Sequence, residues 1–202
     1  VKRARHHGEF TPEIVLSAYR MGFFPMAQSR SGPISWYSPD PRAILPLETF
    51  HVPRSLRSFM KQTRLITTID RAFDRVIRAC AETREKSDTW ISDEIIEVYT
   101  SLHLRGIGHS VETWAGDVLV GGLYGLAIGG AFFGESMFSR ESNASKLALV
   151  RLVEHLKERE FILLDSQIIN DHVRQFGAVE IAREKYLDTL AIALSRPINF
   201  LD

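Results

Sequence analysis

Cysteine occurs once in this chain of 202 residues, at Cys80. A single thiol excludes an intramolecular disulfide and a cysteine cage for a metal, and it suits a reducing compartment. Beside Val76 and Ile77 it reads as a small core residue. Long apolar runs are also missing. The longest, over residues 118–133, is interrupted by glycines and falls short of the roughly 20 apolar residues that a membrane-spanning helix needs. The basic start Val1-Lys2-Arg3-Ala4-Arg5-His6-His7 has no apolar stretch behind it of the kind a secretory signal requires. A cytoplasmic protein with no membrane anchor is therefore expected, and no metal site is inferred from His6-His7. Repeats and low-complexity tracts are absent.

Net charge is absent too, with 25 Lys and Arg against 25 Asp and Glu, but the signs are unevenly spread. Residues 1–90 hold 15 of the basic residues and 9 of the acidic ones. A basic front suits a polyanion such as RNA, and an acidic remainder suits a cationic partner. Taken alone, the split fits solvated helix faces better.

What is present is a chain 45% hydrophobic, enough for one large domain or one domain with a small satellite. A helix is predicted from Pro12, after Thr11, with Ile14, Val15, Ala18 and Tyr19 on one side, ended by residues 22–25. Short extended pieces over 34–37 and 43–47 flank the Pro39-Asp40-Pro41 corner. Helices over 53–62 and 72–83 bracket a β-branched strand over 65–69, and a further helix runs from Ser92 to about Leu104. The period then becomes strand-like, giving an antiparallel meander over 110–114, 118–128 and 131–135. An amphipathic helix over 144–159, a buried strand over 161–165, a short helix over 171–176 and a last helix over 183–194 complete the reading.

Three blocks are more distinctive than generic α+β packing requires: Phe23-Phe24-Pro25-Met26 followed by Trp36-Tyr37-Ser38-Pro39-Asp40-Pro41-Arg42, then His109-Ser110-Val111-Glu112, then Phe132-Phe133-Gly134-Glu135-Ser136-Met137-Phe138-Ser139. With Ala144-Ser145-Lys146, Asp165-Ser166-Gln167, His172 and Gly177-Ala178, the chain resembles the bacterial leucyl/phenylalanyl-tRNA protein transferases over nearly its whole length. One departure is Ser166, where the family usually has cysteine. As a neighbour on the opposite strand face, it should leave the flanking pair unaltered.

The resemblance implies an α+β chain with a C-terminal domain like the GCN5-related N-acetyltransferases over 89–202. A smaller α+β N-terminal domain would precede it, with its first segment in 1–50 and its remainder in 51–88. It implies transfer of Leu or Phe, with Met tolerated, from aminoacyl-tRNA to the α-amino group of proteins beginning with Arg or Lys. The products would be marked for N-degron proteolysis. A monomer without a cofactor or metal is expected.

In that reaction an α-amine attacks an ester carbonyl. Its pKa of about 7.7 to 8.0 leaves little work for a base. A strand over 161–167 puts Asp165 and Gln167 on one face, where the carboxylate can orient the amide and the amide can accept a hydrogen bond from the amine. The resemblance implies this relay, with positioning and electrostatics supplying most of the acceleration. The bland alternative is a polar strand end capping a loop. Glu135 completes the candidate catalytic set, because a carboxylate ending a glycine-rich apolar strand needs a partner. Candidates are the amino group of the transferred residue, the acceptor's basic side chain and Arg140, and a structural ion pair is the alternative.

Leu123, Phe132 and Met137, joined by Leu152 and Leu164, are of the type needed to receive a Leu or Phe side chain, though each also suits plain core. The resemblance implies that Trp36 and Trp90, at loop or helix-entry positions, stack on the terminal adenine. Arg42, Arg54, Arg57, Lys61 and Arg64 could follow RNA phosphates, but a solvated basic helix would look the same. His109, Ser110 and Glu112 lack a glycine-flanked nucleophile elbow and read as structural.

Two other functions compete. An acyl-CoA dependent N-acetyltransferase would need a glycine-rich pyrophosphate loop, whereas Ser139-Arg140-Glu141-Ser142-Asn143-Ala144-Ser145-Lys146 has no glycine and carries an acid. A non-catalytic RNA-binding module leaves Asp165, Gln167 and Glu135 without a purpose.

Overall fold

The computed structural model describes residues 2–5, 10–82 and 89–201; His6-His7 and the domain boundary expected at residue 88 lie outside them. Helix α1, Pro12–Arg20, starts where Thr11 caps it: the Thr11 Oγ1 accepts a hydrogen bond from the Ile14 amide. Its inner stripe is Val15, Leu16, Ala18 and Tyr19. Strands β1 (Lys2–Arg5), β2 (Phe24–Ala27) and β3 (Ile34–Ser38) form a small antiparallel sheet in the order β1-β3-β2. The run Lys2-Arg3-Ala4-Arg5 carries no alternation of apolar residues, so β1 has no signal in the sequence beyond its charge.

The main sheet has seven strands in the order β10-β4-β9-β8-β7-β6-β5. They are β4 (Arg42–Ile44), β5 (Ile66–Ile69), β6 (Gly108–Ala115), β7 (Val118–Ile128), β8 (Ala131–Ser139), β9 (Leu163–Gln167) and β10 (Val179–Ile181). The meander β6-β7-β8 is as expected, but β8 runs four residues further, because residues 136–139 continue to pair with 121–124. Every neighbouring pair is antiparallel except β8 and β9. A parallel pair needs a crossover, and helix α5, Ala144–Glu158, supplies it. The architecture is thus α+β on a mixed sheet, and β4 and β5 from the first 88 residues belong to the same sheet as β6 to β9.

Two apolar cores result. One gathers α1, α3 (Phe73–Glu82), α4 (Asp93–Leu104) and α7 (Arg183–Leu194) around Tyr19, Tyr99, Tyr124 and Phe133. The other gathers α2 (Arg54–Met60), α5 and α6 (Asp171–Arg174) around Leu123, Phe132, Leu152 and Leu164. Cys80 is buried in the first, as its neighbours suggested.

The feature that shapes the site is a bulge in β8. Gly134 faces Gly125 and Ser136 faces Tyr124, which leaves Glu135 as the extra residue. A bulge re-aims the side chain it carries. The strands close up tightly beside it: a Cβ on Gly125 would run into the Phe133 carbonyl oxygen and the Phe132 ring. Gly125→Ala should therefore cost about 1 to 3 kcal/mol of stability, measurable by urea unfolding. An unchanged midpoint would show that the strands tolerate the added methyl.

Candidate active site

Strands β8 and β9 pair at only three positions, from Ala131 opposite Leu163 to Phe133 opposite Asp165. Past that point a cavity of about 670 Å³ opens, walled by residues 134–139 of β8, Leu164, Asp165 and Ser166 of β9, and Ser145, Leu149 and Leu152 of α5. That size suits a small ligand or the end of a larger one. Of the five residues expected to receive an apolar side chain, Leu123, Met137, Leu152 and Leu164 line the cavity. Phe132 does not line it; it is fully buried in the core, with its ring 5.5 Å from that of Phe200. Leu149 and Val173 join the lining instead. Leu149 was findable, since it precedes Leu152 by three residues on one helix face.

Glu135 is buried, and Arg140, the candidate partner from within the chain, is engaged elsewhere. Arg140 reaches the Glu82 carboxylate and the Leu119 carbonyl. The Glu135 Oε1 accepts hydrogen bonds from the Tyr19 hydroxyl at 2.6 Å and from the Gln167 Nε2 at 2.8 Å, and the Tyr99 hydroxyl lies 3.4 Å from its Oε2. The Tyr19 and Tyr99 hydroxyls also touch each other at 2.5 Å. Burial pushes the Glu135 carboxyl up to about 8, against the lowering effect of the hydrogen bonds from Tyr19, Gln167 and Tyr99. The same burial lifts both tyrosines, so they stay protonated as donors. Tyr19 was visible on the inner stripe of α1, and a buried phenol needs a partner. Which partner was not legible.

Asp165 is fully buried, and the amide side chain of Gln167 is not what it holds. Its Oδ1 accepts from the Gln167 backbone N–H at 2.8 Å and from the Arg42 Nε at 2.9 Å. Its Oδ2 accepts from the Arg42 Nη2 at 2.6 Å and from the Tyr186 hydroxyl at 2.8 Å. The expected side-chain relay is therefore corrected. Gln167 has a left-handed backbone, φ 64°, so the alternation of a regular strand fails at that residue, and its amide turns to Glu135.

Arg42 is the second correction. Expected to meet phosphates, it is 0% exposed. Its guanidinium sits between the rings of Phe24 and Tyr186, and its Nη1 donates to the Gly22 carbonyl at 3.1 Å. Burial would lower its pKa, but the Asp165 carboxylate outweighs this and holds it fully protonated. Arg54, Arg57, Lys61 and Arg64 are exposed, with Arg54, Arg57 and Lys61 spaced to share one side of α2 and its end.

Trp36 lies in strand β3, not in a loop, and at 8% exposure beside Phe10 it offers a base little of its ring. Trp90 is half-buried, and its carbonyl accepts from the Ala27 amide at the end of β2. His109, Ser110 and Glu112 do not converge on a cavity. The His109 Nδ1 lies 2.6 Å from the Asp70 Oδ2, and the Ser110 hydroxyl donates to Glu112, which also accepts from Thr68. That is a buried structural network, as read from the sequence. Asn170 and His172 line the cavity, and burial together with Lys146 lowers the His172 pKa, favouring its neutral form. The described residues hold no group of three or more His, Cys, Asp or Glu placed to bind a metal.

The family model for leucyl/phenylalanyl-tRNA protein transferase matches residues 44–191, and that for the N-terminal domain of the same transferase matches residues 8–40. The leucyl/phenylalanyl-tRNA–protein transferase of Chlorobaculum parvum is 51% identical over 190 residues, covering 94% of this chain and 98% of its own. That of Paramagnetospirillum magneticum is 52% identical over 192 residues, covering 94% and 92%. Among solved structures, L-PGS from Bacillus licheniformis aligns over 91% of this chain and 70% of its own, at 10% identity and a TM-score of 0.48. That likeness is too slight to argue from.

The state of Glu135 can be read from stability. The folded chain keeps a proton there up to about pH 8, whereas the unfolded chain releases it near 4.5. Between those values the folded state binds more protons, so stability falls as pH rises and levels off above 8. Glu135→Gln should remove that slope. Urea unfolding at pH 5 and pH 8 should show the variant gaining on its parent by on the order of a few kcal/mol at the higher pH. Parallel pH dependence would mean that the carboxyl is not lifted.

Proposed function

The chain belongs to the leucyl/phenylalanyl-tRNA protein transferase family, and on that premise we propose that it moves Leu or Phe, with Met tolerated, from aminoacyl-tRNA to the α-amino group of proteins beginning with Arg or Lys. As an aminoacyltransferase it forms a peptide bond: the acceptor amine attacks the ester carbonyl, a tetrahedral intermediate forms, and the ribose oxygen leaves with a proton. The observation that carries this reading is the cavity at the parting of β8 and β9, apolar on the α5 side and bordered by Glu135 and Asp165.

Leu123, Met137, Leu149, Leu152 and Leu164 hold the donor side chain, with Phe132 packed behind them. Flexible Met137 lets the pocket take both shapes. The Gln167 amide donates its N–H to Glu135, which leaves its carbonyl oxygen to accept from the incoming amine. An amine of pKa about 7.7 to 8.0 and a carboxyl near 8 exchange a proton at almost no cost. Glu135 is therefore suited to hold an amino group and to take its proton as the bond forms.

Trp90 stacks on the terminal adenine, while Trp36 supports the β2–β3 sheet beside it. Arg54, Arg57, Lys61 and Arg64 follow the acceptor-stem phosphates. The unit acts as a cytoplasmic monomer with no cofactor, on an acetyltransferase-like sheet, and its products enter N-degron proteolysis. Among the described residues no helix is long and apolar enough to cross a membrane.

Labelled leucyl-tRNA mixed with the protein and a peptide beginning with Arg should give leucylated peptide. RNA binding without transfer at any salt would instead favour a non-catalytic module, and acetylation from acetyl-CoA would favour an acetyltransferase. Gln167→Asn keeps a residue suited to a left-handed backbone but draws the amide back. Its kcat should fall at least about tenfold, with RNA affinity changed less than about twofold; the reverse pattern would overturn the assigned role. Replacing Arg57 and Lys61 with Gln should lower the slope of log affinity against log salt by roughly one to two units, and an unchanged slope would place the phosphates elsewhere.

A further inference from the structure

We infer that Arg42 and Tyr186 are positioning residues for the transfer, acting through Asp165 to hold Gln167 where its amide meets Glu135; the inference rests on the reaction proposed above. An ionised carboxylate accepts about four hydrogen bonds, two per oxygen. Asp165 already has four: from the Arg42 Nε and the Gln167 N–H on Oδ1, and from the Arg42 Nη2 and the Tyr186 hydroxyl on Oδ2. No acceptor position remains for an incoming amine. Asp165 therefore acts by geometry, and its geometry is set by the residues that grip it.

What it fixes is the backbone of Gln167. Acceptance by an aspartate side chain from the N–H two residues on is an Asx turn, and here it holds a non-glycine residue at φ 64°. Such a backbone persists only where its surroundings over-determine it. From there Gln167 sends its Nε2 to Glu135. Upstream, Arg42 cannot drift: it is anchored on the Gly22 carbonyl and flanked by the Phe24 and Tyr186 rings. Strand β4 adds a second tie, since Ala43, the residue after Arg42, pairs with Gln167. The chain of contact from Arg42 and Tyr186 to the reacting groups is continuous, and each link is a hydrogen bond between buried atoms.

Two conservative variants test this. Tyr186→Phe keeps the ring and removes one donor to Asp165. Arg42→Lys keeps the charge and removes the planar fork. In both, kcat for leucyl transfer should fall at least about tenfold while KM for charged RNA stays within about twofold. In Arg42→Lys, followed by NMR, the Gln167 amide proton should exchange at least about tenfold faster, while that of Leu126 in β7 stays as in the parent. Should Arg42→Lys fail to fold, Tyr186→Phe decides by its kcat and KM. Folded variants with parental kcat and parental Gln167 exchange overturn the inference, and so does a loss that tracks faster exchange throughout β7. If the parent itself transfers nothing, the reaction reading fails, and the Gln167 exchange still decides the positioning claim.

Discussion

The buried pair of Arg42 and Asp165 is the constraint on which the rest of the site depends. Taking two charges out of water is costly, and a buried pair offsets that cost only when its geometry is good and its remaining hydrogen-bonding positions are filled. Both conditions hold. The guanidinium meets the carboxylate in two parallel bonds, and its third nitrogen finds a carbonyl. The carboxylate's other positions go to Tyr186 and Gln167. Those partners come from the end of α1, from β4, from β9 and from α7. The pair thus joins four segments far apart in sequence at the edge of the cavity, and the orientation of Gln167 follows from that junction.

A second carboxyl, Glu135, lies close by in a different environment. It has tyrosine and glutamine donors and no cation, and burial lifts it to about 8. Two neighbouring acids in contrasting surroundings take different roles. Asp165 is paired with Arg42 and engaged on all sides, which suits a part that fixes geometry. Glu135 stands near the pKa of the amines it would meet, which suits a part that handles a proton. The bulge in β8 makes the contrast possible, because a regular strand would have turned residue 135 to another face.

Much of this was legible in the sequence, and the failures share a cause. The strand and helix periods of β6 to β9 and α5 marked the framework, whereas the grouping of Glu135, Asp165, Gln167 and the leucines was implied by the family resemblance. Arg42 was misread because an arginine after Asp-Pro in a basic segment looks solvated; only a carboxylate 123 residues away makes its burial tolerable. The Asp165 to Gln167 relay was misread because period-2 alternation was carried one residue too far, to a position whose φ is positive. Trp36, inside the extended piece expected over 34–37, was read as open to a base because the two residues that flank it in the sheet lie on β1 and β2, and β1 has no apolar pattern to announce it. Local periodicity reports which face is apolar, but not which polar partner arrives from elsewhere.

The charge distribution around the cavity bears on which form of an amino acid it accepts. Among the described residues its lining includes Glu135 and Asp165 but no Lys or Arg, and the buried guanidinium of Arg42 is already matched by Asp165. A free amino acid would bring a carboxylate into this space with no Lys or Arg in the described lining to receive it, at a desolvation cost. An esterified amino acid has lost that charge and keeps only its amino group, which Glu135 would hold on the proposed reading. On the proposed reading, a described lining without Lys or Arg thus helps to select an amino acid attached to RNA over one free in solution. Apolar contacts to the side chain alone could not make that distinction, because both forms present the same side chain.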